Sequence, residues 1–409
     1  MSQSVFSELT LPNGTTLPNR LAKAAMEENM AASGHLPGEH IFRLYNTWAQ
    51  GGTGLLITGN VMVDHRAMTG PGGIALEADT NLEPFKKWAQ AAQSDGGHIW
   101  MQINHPGRQV YAAMGGDVLS PSDVALDLGK HSKLFGQPKA MNEADIQELI
   151  ERFTTTANMA VAAGFDGVQI HAAHGYLLSQ FLSPLSNQRN DQYGGSLDNR
   201  ARVLYQVVKS VKEAVPQQFA VSVKLNSADF QRGGFDAEDA LLVVKQLGEL
   251  GVDLVELSGG SYESPAMQGT TADGRTLERE AYFLQFAQDI AQHATMPIMT
   301  TGGITRLAVA EKVINAGVNM VGLGRALAFS PDLPNQWKTN PQADVTLPQV
   351  NWKDKTLAGV ATMAIAKRQL QRMGKGKTPK AGVSPIVSLI SDQIRLKKLT
   401  KAYRARYAS

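Results

Sequence analysis

His171, His174 and Tyr176 fall within one run, FDGVQIHAAHGYLLSQFLSPLSNQRNDQYGGSLDNR. Imidazoles at i and i+3, with a phenol two residues on, present three neutral donors to a single oxygen. Such a set can hold an oxyanion or enolate as it forms, while the phenol delivers a proton. The same histidine spacing would suit a zinc ion. No H-E-x-x-H accompanies it and the chain has no cysteine, so no metal site is expected. The histidines could also be polar groups satisfied within the fold, but three such residues gathered at one place weigh against it.

Two further constellations carry chemistry. Thr301-Gly302-Gly303 and Gly324-Arg325 each follow a short apolar run near the end of the body of the chain. Glycines let backbone N–H groups approach an anion closely, and a guanidinium grips two phosphate oxygens at once. Gln102 in HIWMQI and Lys224 in AVSVKL interrupt otherwise apolar runs. A buried ammonium needs a partner or an anion. Either a structural salt bridge to a carboxylate such as Glu256 or a cofactor with a phosphate and a polar ring system would supply it.

These residues must be placed by a scaffold, and the scaffold is readable. The chain has 409 residues, 43% hydrophobic and 19% charged, enough to bury a sizeable core. Short apolar runs bounded by Gly or Pro predict strands at 21–25, 54–59, 98–103, 166–170, 219–225, 252–257, 296–301 and 318–323. Helical spacing predicts helices at 39–50, 81–95, 143–163, 198–214, 237–250, 279–294 and 305–316, with a shorter one after Pro331. Asn142, Asp236 and Thr305 mark three helix starts. Eight strands alternating with helices are the count of an α/β fold of the (β/α)8 barrel type, and no strand leads into G-x-G-x-x-G.

In a barrel the active site lies at the strands' C-terminal ends, and phosphate is often bound after strands 7 and 8. His171, His174 and Tyr176 would then end strand 4, and the two glycine pairs would occupy the phosphate positions. Asn13-Gly14 reads as a hairpin turn ahead of strand 1 that plugs the opposite mouth. The aperiodic stretch 104–142 leaves strand 3 as a lid or binding loop.

Charge divides the chain. Residues 352–409 carry 14 Lys/Arg against 2 Asp/Glu, and the remainder carries 25 against 35. We read residues 1–340 as the barrel and 341–409 as a basic extension with a helix at 355–372 and a flexible linker, GKGKTPK. The extension is expected to pack on its own or a neighbouring barrel, which makes it a route to a homo-oligomer, and no nucleic-acid motif stands in it. Without cysteine, disulfides, iron–sulfur clusters and a cysteine nucleophile are excluded. No run of apolar residues is long enough for a membrane span and no signal peptide is visible, so no membrane partner and a cytoplasmic location are expected.

Taken in order, LPNRLAKAAM, HIWMQINHPGR, the long run through His171, AVSVKLNSADF, MPIMTTGGI and NMVGLGRALAFSPDL resemble the old yellow enzyme family. These are flavin-dependent NAD(P)H oxidoreductases that reduce activated C=C bonds. The resemblance covers residues 12–335. It implies FMN at the barrel's C-terminal mouth, with NADPH or NADH as reductant and a small enone or related compound as substrate. Ala24, Ala25 and Met26 would line the flavin ring, Gln102 its pyrimidine edge and Lys224 its N1/O2 side. Gly302, Gly303, Gly324 and Arg325 would hold the phosphate. His171 and His174 would bind the substrate carbonyl, and Tyr176 would protonate Cα as hydride reaches Cβ in a ping-pong cycle.

Three positions depart from the family pattern: Glu27 stands where relatives carry Cys, Thr or His beside the ring, Lys224 where many carry Arg, and Asn60 in place of a small residue. Oxidative demethylation or dehydrogenation of a small amine or ether is the competing activity. Two rivals lie outside it. A non-catalytic flavin-binding partner protein would hold FMN without oxidising NAD(P)H, and a flavin-free barrel enzyme acting on a phosphorylated substrate would be colourless.

Overall fold

In the computed structural model, which describes residues 4–266, 281 and 283–407, eight parallel strands close into a barrel. They are β1 Leu21–Lys23, β2 Leu55–Ile57, β3 His98–Asn104, β4 Gly167–Ala172, β5 Ala220–Asn226, β6 Leu254–Ser258, β7 Ile298–Thr301 and β8 Met320–Leu323. Each pairs with the next, and β8 pairs with β1, so no edge is left open. The outer ring is α1 Glu39–Ala49, α2 Glu83–Ala92, α3 Glu143–Ala162, α4 Leu197–Ala214, α5 Ala237–Glu249, α6 Leu284–Ala291, α7 Leu307–Asn315 and α8 Leu333–Thr339.

Strand alternation explains how one sequence serves two interiors. On β5, Val221, Val223 and Leu225 face outward into the core shared with the helices, whereas Ala220 belongs to the cluster inside the barrel. The inward positions higher on the same strand are Ser222, Lys224 and Asn226, so the barrel is apolar at its base and polar towards its C-terminal mouth. Below, Leu9–Thr10 pairs antiparallel with Thr16–Leu17, and Gly14 takes a φ of 88° that the turn requires. Leu9, Leu11 and Leu17 pack against Trp100, Leu254, Met299 and Met320, closing the barrel floor as expected of the hairpin.

Helix starts follow local chemistry. Asn142 caps α3 in a capping box with Asp145, and Asp236 accepts from the N–H groups of Glu238 and Asp239 at the start of α5. The start expected at Thr305 moves by one residue, since α7 is preceded by Arg306. The helix expected over 279–294 is Leu284–Ala291, and residues 279, 280 and 282 lie outside the described residues. The stretch 104–142 holds two short strands, Leu119–Ser120 and Lys139–Ala140, paired with each other.

The extension forms two helices, α9 Lys355–Gly374 and α10 Pro385–Tyr407. Leu370 and Met373 of α9 join the same core cluster as the barrel helices. The GKGKTPK connection, expected to be flexible, is pinned: buried Gln369 donates to the carbonyl of Lys380 and accepts its N–H. Helix α10 returns over the loops that follow β1, β2 and β3. Tyr403 donates to the His65 carbonyl at 2.8 Å and packs with Met62, Met68 and Met114, while Tyr407 packs 5.2 Å from His35 and 4.6 Å from His65. No helix among the described residues is long and apolar enough to cross a membrane.

Candidate active site

Register places the polar interior residues in one belt. Gln102 faces Gln169, His171 faces Lys224, Lys224 faces Glu256, and Asn226 faces Ser258. Four of its members form one hydrogen-bonded chain: Gln102 donates to Gln169 Oε1 at 2.7 Å, Gln169 donates to Glu256 Oε2 at 2.9 Å, and Lys224 lies 2.8 Å from Glu256 Oε1. The salt bridge weighed for Lys224 is therefore present, and both side chains are buried. A buried ion pair with its spare oxygen occupied avoids the cost of an orphaned charge. The belt forms the floor beneath the barrel mouth.

Above it stand the two histidines and the tyrosine. His171 is the penultimate residue of β4, and its Nδ1 accepts from the Ala173 N–H, so Nε2 carries the proton and can donate. His174 has a φ of 61°, in the left-handed region that a non-glycine residue rarely adopts. That turn brings its ring back to 5.0 Å from His171, and it is held by the Asn226 side chain on the His174 N–H and Gln109 on the His174 carbonyl. Its Nε2 lies 2.7 Å from Ser258 Oγ, which leaves Nδ1 as the ring nitrogen not engaged by the serine. Burial drives both imidazoles well below the usual histidine range, with Lys224 adding to the effect. Both are neutral donors at physiological pH.

Tyr176 packs edge-on to His171 at 4.9 Å. Burial, then the charge of Glu27, pushes its phenol well above the usual range, so it keeps its proton at neutral pH. Its hydroxyl is 3.1 Å from that of Tyr262, and Asn60 lies beside it. Tyr262, Phe135 and Tyr111 continue the wall, with Tyr111 stacked on Phe135 at 4.8 Å. Arg108 joins this wall to the loop after β6 through a 2.7 Å bond to Glu263.

Glu27, half-buried in the loop after β1, accepts from Thr69 at 2.8 Å and is the charge felt by Tyr176, Tyr111 and Tyr262. It thus faces the same space as the phenols, while the half-buried Ala25 and Met26 beside it pack against the barrel interior and the outer core, and Ala24 is buried within the barrel. On the far side, β7 and β8 pair at Thr301 and Gly322, so the two glycine pairs emerge side by side. Gly302 and Gly303 take φ of 124° and 70°, and a side chain built on Gly324 would meet nothing within 4 Å.

These features fit FMN. The open, glycine-lined cradle beside Arg325 suits a phosphate. Two amides near the mouth have unpartnered buried atoms, Asn60 Oδ1 and both polar atoms of Asn104, as a polar ring system would require.

Several of these residues carry no sequence signal of their own. Gln169 and Ser258 are ordinary strand residues until the fold sets them beside Gln102 and His174, whereas Glu256 is already expected from the sequence as a carboxylate for Lys224. Tyr262 and Glu263 lie in a loop without periodicity; the alternation of β6 could have exposed Ser258, since it shares the inward phase of Glu256. The loop 260–278, a candidate determinant of substrate choice, falls outside the described residues beyond Ala266.

Comparison with known proteins places the whole barrel. The NADH:flavin oxidoreductase / NADH oxidase family matches residues 4–343. The chain is 36% identical over 381 residues to the NADH-dependent flavin oxidoreductase iliE of Neonectria sp. (strain DH2), covering 87% of this chain but only 50% of that protein. It thus spans half the length of that relative. A second protein of the same name, from Hypocrea jecorina (strain QM6a), is 36% identical over 366 residues, covering 83% of this chain and 90% of its own. The solved structure of the old yellow enzyme homologue from Zymomonas mobilis superposes with a TM-score of 0.72 at 25% identity, over 84% of this chain and 95% of that one.

Proposed function

The chain belongs to the NADH:flavin oxidoreductase / NADH oxidase family, and we propose that it reduces the activated C=C bond of α,β-unsaturated carbonyl compounds. It is an oxidoreductase of the old yellow enzyme type, with FMN as cofactor and NADH or NADPH as reductant. When bound, FMN accepts hydride from the nicotinamide and passes it to the second substrate.

What supports this reading is the meeting of three uncharged side chains, with the His174 and Tyr176 rings 5.0 and 4.9 Å from that of His171, so that His171 Nε2, His174 Nδ1 and the Tyr176 hydroxyl would donate into one space. A substrate carbonyl oxygen held by the two imidazoles gains hydrogen bonds that strengthen as negative charge develops on it. Because neither imidazole is protonated, the pair stabilises an enolate without transferring a proton to its oxygen. Tyr176 remains as the acid, and its raised pKa keeps the proton available for the α-carbon. The Tyr111, Phe135 and Tyr262 wall limits water and packs against flat, conjugated substrates. Gln102 and Lys224, fixed by Gln169 and Glu256, would meet the polar edge of the isoalloxazine; Ala25, Met26, Glu27 and Asn60 would line it, with Ala24 buried behind them. Gly302, Gly303, Gly324 and Arg325 would clasp its phosphate. Residues 1–340 form the catalytic barrel in this reading.

Anaerobic turnover of 2-cyclohexenone with NADH tests it. Stoichiometric cyclohexanone is expected; NADH oxidation without a saturated product would overturn the proposal.

A further inference from the structure

Helix α10 has two apolar faces, and only one is covered. Leu399, Tyr403 and Tyr407 turn inward, Leu399 packing beside Gly72 and the two tyrosines in the aromatic cluster with His35 and His65. On the opposite side Ile386, Ile390 and Ile394 repeat every fourth residue and so share one stripe, with Val387 beside them. Leu357 and Val360 belong to the other hairpin helix, α9, and these six side chains are 41–67% exposed. Among the described residues only three other large apolar side chains are comparably exposed, Tyr111, Leu134 and Leu242, and none of them lies on this hairpin. A concentrated apolar patch of this kind marks an interface.

Charge identifies the occupant. The stripe runs directly into exposed Lys397, Lys398 and Lys401, on a segment with 14 basic and 2 acidic residues. The rest of the chain carries 25 basic and 35 acidic residues, so the barrel itself has the charge that complements the hairpin. We propose that the exposed face of the α9–α10 hairpin seats against the acidic barrel of a second copy of this chain, each copy doing the same to the other about a two-fold axis. Reciprocal seating closes the assembly and sets opposite charges together. An anionic lipid surface would satisfy the charge alone, but the stripe is only about 12 Å long at the helical rise. Interfacial helices bury a longer apolar face.

Sedimentation velocity and light scattering on the FMN-loaded protein test the proposal. The expected species has twice the 44.0 kDa chain mass, and its association constant falls at least about tenfold as salt rises from about 0.05 to about 0.5 M. Replacing Ile386, Ile390 and Ile394 together by Ser should give a monomer with unchanged circular dichroism and unchanged flavin reduction by NADH. Ile390→Arg, a single charge at the stripe's centre, should give the same result without burdening the fold. A monomeric wild-type protein, a dimer that survives Ile390→Arg, or a dimer indifferent to salt would overturn it. So would a monomer that co-sediments with phosphatidylserine–phosphatidylcholine vesicles through the same stripe.

Discussion

Lys224 and Glu256 face each other across β5 and β6, their Nζ and Oε1 atoms 2.8 Å apart and both side chains buried. With Gln169 on the second carboxylate oxygen, the ammonium reaches the barrel mouth as one end of a compensated pair. Glu256→Gln keeps the shape and removes the compensation. Leaving one charge of a buried pair alone costs about 3–5 kcal/mol, so the variant should unfold at markedly lower denaturant. The bare cation should also raise the flavin's two-electron potential, by on the order of 30 mV for each 1.4 kcal/mol of added stabilisation. Dye-equilibration potentiometry reads this directly, and an unchanged or lowered potential would separate Lys224 from the flavin.

Tyr176→Phe removes the proposed acid and keeps the ring packed on His171. Loss of a positioned acid typically slows its step by about 10²–10⁴. In stopped-flow, the enone half-reaction should slow by that order while flavin reduction by NADH stays near wild type. Equal losses in both halves would contradict the role given to the phenol.

Ser258→Ala addresses the nitrogen that His174 presents to the substrate. The serine hydroxyl lies 2.7 Å from Nε2; in the proposed arrangement it donates there and leaves the proton on Nδ1, and without it that tautomer is no longer fixed. One neutral hydrogen bond is worth about 1 kcal/mol. KM for the enone should rise roughly five- to tenfold with little change in KM for NADH. A uniform fall in both would point to a packing defect instead.

Besides His35, whose pKa burial also lowers, three imidazoles with larger shifts set the response to acid. Burial lowers His105 to about 4 and holds His171 and His174 well below the ordinary 6.5. In the unfolded chain all three titrate near that ordinary value, so below it the unfolded state binds protons that the folded state refuses. Stability is thus fully present above pH 6.5 and is lost as pH falls through the window down to about 4, by up to about 1.4 kcal/mol per pH unit for each imidazole. Guanidinium melts at pH 7.5, 6 and 5 give the slope. A flat profile would mean that the folded protein takes up these protons too.

The scaffold was legible because its signals are local. Each strand is a short apolar run between breakers, and Asn142 and Asp236 announce helices by chemistry confined to a few residues. His171, His174 and Tyr176 were legible for the same reason, being close in sequence. What sets their protonation and orientation was not. Ser258 is remote from His174 in the chain and Tyr262 from Tyr176, and each pairing exists only once β4, β5 and β6 are assembled; Glu256 was readable as a partner for Lys224, but the register that joins them was not. Lys23, the outward-facing end of β1, shows the same limit. Burial brings its pKa down to about 8 against the opposing pull of Glu28, and its pairing with Glu28 and Tyr45 under Trp48 depends on how α1 docks. The tail's basic composition was plain, but its return over the loops after β1 to β3 depends on Tyr403 and Tyr407 finding His35 and His65.

Titration of the purified protein with a para-substituted phenol, followed by absorption, tests the central claim most directly. A phenolate held by His171 and His174 over an FMN ring gives a long-wavelength charge-transfer band, which should be saturable in the wild type and absent from a His171→Ala, His174→Ala double variant that remains yellow. A colourless protein, or a yellow one whose band survives loss of both histidines, would contradict the account.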